Sequence, residues 1–328
     1  MKTSTETIGK YLSWIEAEIR KQKYGERPAS LYDPINYIMS LGGKRLRPLL
    51  VVIAYSLFKK DPRKIISAAT IVESFHNFTL LHDDIMDNAP LRRGKPTVHE
   101  RWNTNTAILA GDVMLVKVYE QLFNIKSDNL QQIIRKFNAC AAEVCEGQQW
   151  DMEFENSKVV TEAAYIEMIK LKTAVLLGFS LEFGGLLANA SSKDCAILKN
   201  FGIDIGIGFQ LKDDLLDVYA NKSKFGKQVG GDILANKKTY LLITALAAAK
   251  GEDKKELNRW LQATKFSKPE KIKAVTDIYN RLHIPVLTQE KVNFYFKRGL
   301  NRLKNLSVKD SDKKELQNFV VDLIDRIN

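Results

Sequence analysis

Apolar residues recur at three- and four-residue spacing along much of this chain, in Ile65 to Leu81, Ala107 to Phe123, Leu130 to Phe154, Ala163 to Leu187 and Ala196 to Val218. That period lays side chains along one stripe of an α-helix, and no stretch shows the alternation of a half-buried strand. The expectation is an all-α protein. Of the 8 prolines, several stand where helices are expected to start: Pro34 follows Asp33, and Pro48 opens PLLVVIAYSLF. The 328 residues are 45% hydrophobic and 27% charged, the balance of a soluble globular chain able to wrap one large core. One or two domains fit that length.

The formal net charge is +11, which suits a polyanionic partner: nucleic acid, a membrane surface or a phosphorylated small molecule. Part of the excess lies in lysine-rich stretches such as KFSKPEKIKA, Lys265 to Ala274, which reads as a solvated helix face. Cys140, Cys145 and Cys195 form an odd set without metal-type spacing, so they read as reduced, mostly packed thiols in a reducing compartment. The N-terminal MKTSTETIGKYLSWIEAEIRKQ has no apolar signal core and reads as an amphipathic helix. No later segment holds about 18 uninterrupted apolar residues. A cytoplasmic protein is expected.

Two irregular segments, Ala89 to Asn103 and Asn221 to Gly231, each follow an aspartate cluster. The first cluster is Asp83, Asp84 and Asp87, in LLHDDIMD; the second is Asp213, Asp214 and Asp217, in QLKDDLLD. On a helix Asp83 lies over Asp87 and Asp213 over Asp217, about 5.4 Å apart, so each pair repels unless a cation compensates. Oxygen-only ligands without His or Cys favour Mg²⁺, which takes one or two carboxylates, waters and substrate phosphate. One such cluster reads as a solvated face. Two, each ending an apolar helix and each followed by a basic, glycine-containing loop, point to metal sites facing one another across a cavity. Cations that could meet a bridged diphosphate are Arg92, Arg93, Lys227 and Lys237, while GGKRLRP puts Lys44 and Arg47 at a helix start that favours anions.

These segments resemble the trans-isoprenyl diphosphate synthases of the polyprenyl synthetase family. In order they include GGKRLRP, ESFHNFTLLHDDIMD, RRGKPTVH, AGD at Ala110 to Asp112, EGQQWD, LKTA, FQLKDDLLD, FGKQVGGD and KKTYLL, from Leu41 to about Leu242. The resemblance implies a single-domain helical bundle over residues 1–328, with a deep central cavity, usually a homodimer. It implies Asp83, Asp87 and Asp213 as Mg²⁺ ligands, with Asp84, Asp214 and Asp217 orienting ligands or waters. It implies Arg92, Lys172, Lys227 and Lys237 on the allylic diphosphate, and Lys44, Arg47, His76 and Arg93 on isopentenyl diphosphate. The carbonyl of Lys172, the hydroxyl of Thr173 and the side chain of Gln210 would stabilise an allylic cation. The released diphosphate would take the proton.

Product length, in the same resemblance, depends on what blocks the cavity below the first cluster. Thr79 lies one helical turn before Asp83, Phe75 one turn further, and Phe78 at the edge of that face. An aromatic at Phe78 with a small Thr79, and no insertion between Asp84 and Asp87, resembles short-chain synthases of the geranylgeranyl type. Farnesyl synthases are the close rival and long-chain synthases the last choice. A class I terpene cyclase would carry an Asn/Asp-Ser/Thr-Glu pattern in place of DDLLD, and a non-catalytic subunit would have lost aspartates or lysines present here. Nucleic-acid binding is disfavoured because the basic residues near the motifs sit beside acidic ones. His82 and His99 read as structural hydrogen-bonding residues, Asp112 as a helix cap or tether, and Trp102 and Trp150 as core or interface anchors.

Overall fold

The computed structural model describes residues 4–220 and 230–325. Apart from one hairpin of two-residue strands, the regular structure described is helical. The chain divides into two compact units, one of Met1–Ala139, Phe179–Lys199 and Leu306–Phe319, the other of Cys140–Gly178, Asn200–Asn305 and Val320–Asn328.

The first unit begins with α1 (Ser4–Lys21), α2 (Ala29–Ser40), α3 (Leu46–Ser56) and α4 (Ile66–Met86). α4 is the element that α1, α2 and α3 pack around, together with α6 (Thr104–Phe123). It is apolar on several faces, burying Ile66, Ala69, Ile71, Val72, Phe75, Phe78 and Leu81, as a helix enclosed by neighbours must be. Phe75 stands edge-on to Phe137 at 5.0 Å between centroids, and Phe137 in turn meets Phe179 at 5.9 Å. Between α4 and α6 the chain makes the antiparallel hairpin β1 (Leu91–Arg92) and β2 (Lys95–Pro96), then the short α5 (Val98–Arg101). Its turn is Arg93 and Gly94, both at positive φ, the backbone that a two-residue hairpin loop requires. The first irregular segment is therefore partly ordered.

The helix α7 (Leu130–Asn156) leads into the second unit, followed by α8 (Glu162–Ile169), a π-turn (Lys170–Ala174), α9 (Val175–Leu187) and α10 (Ser192–Tyr219). After the segment 221–229 come α11 (Gly231–Leu234), α12 (Tyr240–Ala248), α13 (Gly251–Gln262), α14 (Lys268–Arg281), α15 (Ile284–Leu303) and α16 (Asp310–Asp325). Their core includes Leu215, Leu241, Leu257, Ile278 and Ile284. The buried Asp204 of α10 receives Arg298 Nε at 2.9 Å and Arg302 Nε at 2.6 Å from α15, so its charge is paired where burial alone would be costly.

Four expectations change. Pro34 lies inside α2, whose first residue is Ala29. The periodic run Ala163 to Leu187 is broken by the π-turn. The lysine-rich KFSKPEKIKA is not simply a solvated face, because Lys271 is 0% exposed and donates to Asn236 Oδ1 at 2.7 Å. Of the thiols, Cys140 and Cys195 are buried but Cys145 is exposed; burial pushes Cys195 up to about 11.

Candidate active site

In the second unit, α7, α8, the π-turn, α10 and α11 line a cavity of about 240 Å³. From the π-turn, Lys172 Nζ donates to Asp151 Oδ2 of α7 at 2.7 Å. Lys237, just beyond α11, reaches the same oxygen at 3.5 Å. Burial alone would raise the Asp151 pKa, but the two lysines outweigh it and hold the carboxyl below its ordinary value. Next to Lys172, the Thr173 hydroxyl donates to Gln210 Oε1 at 3.2 Å, and Gln210 Nε2 donates to Asp214 Oδ1 at 3.2 Å. The Tyr165 hydroxyl donates to the other oxygen of Asp214. Burial pushes Asp214 up to about 6 and Tyr165 well above its usual value.

Asp213 and Asp217 share this cavity with Asp232. Asp213 is exposed and Asp217 half-buried; the amide of Asp232 donates to Asp217 Oδ2 at 2.9 Å. Burial, and then the neighbouring Asp217 charge, push Asp232 up to about 7. The cavity thus gathers the carboxyl groups of Asp213, Asp214, Asp217 and Asp232, two ammonium groups paired with Asp151, and the Thr173 hydroxyl and Gln210 amide.

In the first unit, the first cluster ends α4: Asp83 is half-buried, Asp87 is the exposed C-terminal cap, and Asp84 is 1% exposed. Asp84 accepts from Arg92 Nε at 3.0 Å and Nη2 at 2.5 Å. Burial raises the Asp84 pKa against the opposing pull of Arg92. Asp84 therefore anchors the hairpin, and Asp83 and Asp87 are left on the other faces of the helix end.

The GGKRLRP loop docks nearby within the same unit. Gly42 and Gly43 have φ of 75° and 145°, and Arg93 donates to the Gly42 carbonyl. A Cβ on Gly43 would lie 2.9 Å from the Arg93 guanidinium, a flexible side-chain end that could shift, so the positive φ is the firmer reason for glycine there. Arg45 turns inward at φ 46° to pair with Glu73 at 2.7 Å and Glu16 at 2.8 Å. Lys44 is left exposed and Arg47 half-buried on α3. His76 is pushed well below its ordinary value by burial and then by Arg47, Arg93, Arg92 and Arg45. Arg47, His76 and Arg93 thus share a strongly cationic neighbourhood fit for an anion.

Phe75 is 1% exposed and Phe78 9%, with their rings 5.7 Å apart, and Phe78 lies 4.9 Å from the His82 ring. Thr79 donates its hydroxyl to the His76 carbonyl at 2.8 Å. His82 Nε2 lies 3.2 Å from the carbonyl of Ile108 on α6, a structural bond. His99 Nε2 lies 3.6 Å from Glu100. Asp112 sits exposed in the middle of α6, so it caps nothing; the cap is Asn103, whose side chain accepts the Thr106 amide. Trp102 packs edge-on to Tyr37 at 5.4 Å, whereas Trp150 is exposed on α7. Lys227 lies outside the described residues.

Asp151, Tyr165 and Asp232 are site residues that sequence reasoning did not single out. Asp151 and Asp232 were visible only as the ends of EGQQWD and QVGGD; Tyr165 carried no signal in a plain helical run.

Carboxylate oxygens are the donors at both clusters, which fits a hard cation such as Mg²⁺. Among the described residues no three His, Cys, Asp or Glu side chains form a ready metal cage. Burial is the main cause of the raised Asp214 and Asp232; at Asp232 the neighbouring Asp217 charge adds a repulsion that a cation would relieve.

The chain matches the family model described as Polyprenyl synthetase over residues 28–279. It is 40% identical over 268 residues to a short chain isoprenyl diphosphate synthase of Methanocaldococcus jannaschii, covering 81% of each chain. It is 39% identical over 247 residues to a geranylgeranyl diphosphate synthase of Methanosarcina mazei, covering 75% of this chain and 76% of that one. A crystal structure of a geranylgeranyl pyrophosphate synthase superposes with a TM-score of 0.91 at 38% identity, over 99% of both chains. With the carboxylates, lysines and glycine loop arranged as described, the chain belongs to the polyprenyl synthetase family.

Proposed function

We propose that the protein is a Mg²⁺-dependent trans-prenyltransferase that condenses isopentenyl diphosphate with an allylic diphosphate to give geranylgeranyl diphosphate. The observation that carries this reading is the cavity in which Lys172 and Lys237 converge on Asp151, beside Asp213, Asp214 and Asp217. Lysines already gathered around one carboxylate are positioned to grip an incoming diphosphate without reorganising in the reaction. The geranylgeranyl relatives support the product assignment, as does Phe78 one helical turn and a residue before Asp83.

In this reading Asp83, Asp87 and Asp213 hold Mg²⁺, while Asp84, Asp214 and Asp217 orient ligands or waters. Bound there, Mg²⁺ would neutralise charge developing on the departing diphosphate. Arg92, Lys172, Lys227 and Lys237 bind that diphosphate as its C–O bond breaks and the electron pair leaves with it. The allylic cation faces the Lys172 carbonyl, the Thr173 hydroxyl and Gln210 Oε1, which stabilise positive charge through their oxygen dipoles. Lys44, Arg47, His76 and Arg93 hold isopentenyl diphosphate, whose double bond attacks the cation; loss of a proton to the released diphosphate completes the new trans double bond. His76 offers a ring nitrogen as a hydrogen-bonding group to that diphosphate.

The family match runs through segments of both units, which supports treating residues 1–328 as one catalytic domain. A homodimer is part of the proposal: Leu109, Val116 and Phe123 stand exposed at seven-residue intervals on α6, an apolar line that a second copy could cover. A cytoplasmic location is also part of it; no helix among the described residues is long and apolar enough to cross a membrane.

The test is product chromatography. Purified protein given Mg²⁺, isopentenyl diphosphate and farnesyl diphosphate should release diphosphate and yield a C20 product. Absence of any longer prenyl product with farnesyl, geranyl and dimethylallyl primers would sink the synthase reading; a C15 endpoint would reassign the product.

A further inference from the structure

The π-turn Lys170–Ala174 is flanked by two helices, each of which approaches it at a glycine. On α7, a Cβ at Gly147 would stand 2.2 Å from the Lys172 amide nitrogen and 2.7 Å from the Lys172 Cα. On α10, a Cβ at Gly206 would stand 2.6 Å from the Ala174 Cα. The atoms met are backbone or the Ala174 Cβ fixed to it, neither of which can swing aside as a flexible side-chain end can. Neither glycine has positive φ, so space and not backbone conformation is what calls for it, and glycine in a helix interior is otherwise unfavourable.

The same two helices also grip the side chains of the turn. Asp151, four residues after Gly147, holds Lys172, and Gln210, four residues after Gly206, holds Thr173. Four residues is one helical turn, so on each flank the glycine and the polar partner share a face. The turn itself has departed from α geometry: the Val175 amide donates to the Lys170 carbonyl, five residues back instead of four.

We propose that Gly147 and Gly206 are positioning residues that form a slot for the π-turn, fixing its backbone so that Lys172 meets Asp151 and Thr173 meets Gln210. This rests on the prenyltransferase reading. An added methyl on either flank displaces the turn and spoils both pairings without touching the substrate.

The test compares Gly147→Ala and Gly206→Ala with Gly184→Ala, whose Cβ would meet the Val51 carbonyl at 2.3 Å in the first unit. Per folded molecule, the two slot variants should lose kcat on the order of 10–100-fold with KM for isopentenyl diphosphate unchanged. Their calorimetric affinity for inorganic pyrophosphate with Mg²⁺ should fall as well. Gly184→Ala should lower only thermal stability. The proposal is overturned if the slot variants keep kcat and pyrophosphate affinity, if they lose them only as the control does, or if both fail to fold while the control folds. A wild-type protein that makes no prenyl product would instead defeat the synthase reading, and the pyrophosphate titration would still judge the slot.

Discussion

Phe78 has few atoms open to solvent, and its ring is held by Phe75 on one side and His82 on the other. A side chain pinned in this way can act as a floor for a growing hydrocarbon, because it cannot rotate away cheaply. Phe78→Ala should shift the product toward C25 and longer. Losing a buried ring costs about 3–5 kcal/mol, so product length, which stability does not alter, is the quantity to read by chromatography; an unchanged distribution removes Phe78 as the floor. Asp194 offers a test of pH dependence away from the catalytic residues. It accepts from the Ser307 hydroxyl at 2.5 Å, the Ser307 amide at 2.9 Å and the Ser191 hydroxyl at 2.7 Å. Burial would raise its pKa, but these bonds outweigh burial and hold it below the ordinary value. A lowered folded-state pKa contributes stability above the unfolded-state value of about 4, and that contribution is lost as pH falls through the folded-state value. Asp194→Asn should therefore lower stability at pH 6 by about 1–2 kcal/mol and flatten the acid limb below pH 4 in urea melts.

At the scale of elements, α14 shows how one side chain can hold a distant segment. Lys271 reaches from α14 to Asn236 Oδ1, and Ile272 packs on Gly230, so the stretch delivering Asp232 and Lys237 to the cavity is tied down from behind. Lys271→Ala should cost about 1–3 kcal/mol through the stranded Asn236 acceptor, measured by chemical denaturation, whereas Lys273→Ala on the exposed side should change stability by less than about 0.5 kcal/mol. Burial of Lys271 was not legible in KFSKPEKIKA, since a lysine that pairs with a residue 35 positions away leaves no local pattern. The helices α6, α7 and α10 were legible to within a few residues because their apolar stripes continue to the ends. The π-turn was not, because Ala163 to Leu187 stays apolar throughout and the break lies against glycines of other helices, which leave no mark in that run. Likewise the aspartate clusters could be read directly, each being local in sequence, while Asp151 joins Lys172 only through tertiary packing.

For the molecule as a whole, α6 carries the assembly prediction. Val116 is 64% exposed in the isolated chain, so a Val116→Glu change should leave monomer stability within about 0.5 kcal/mol. If a second copy covers this line, sedimentation should report a dimer for the wild type and a shift toward monomer for Val116→Glu; identical masses would remove α6 from the interface. The uneven burial of the thiols has a practical consequence. Cys140 and Cys195 are enclosed and Cys145 is exposed, and buried thiols react slowly. A maleimide fluorophore added to the native wild-type protein should attach at one position, two residues before Gly147 on α7. The chain thus brings its own spectroscopic reporter, and changes in that dye's emission during pyrophosphate titration would follow the helix that carries Gly147 and Asp151 without any engineered label.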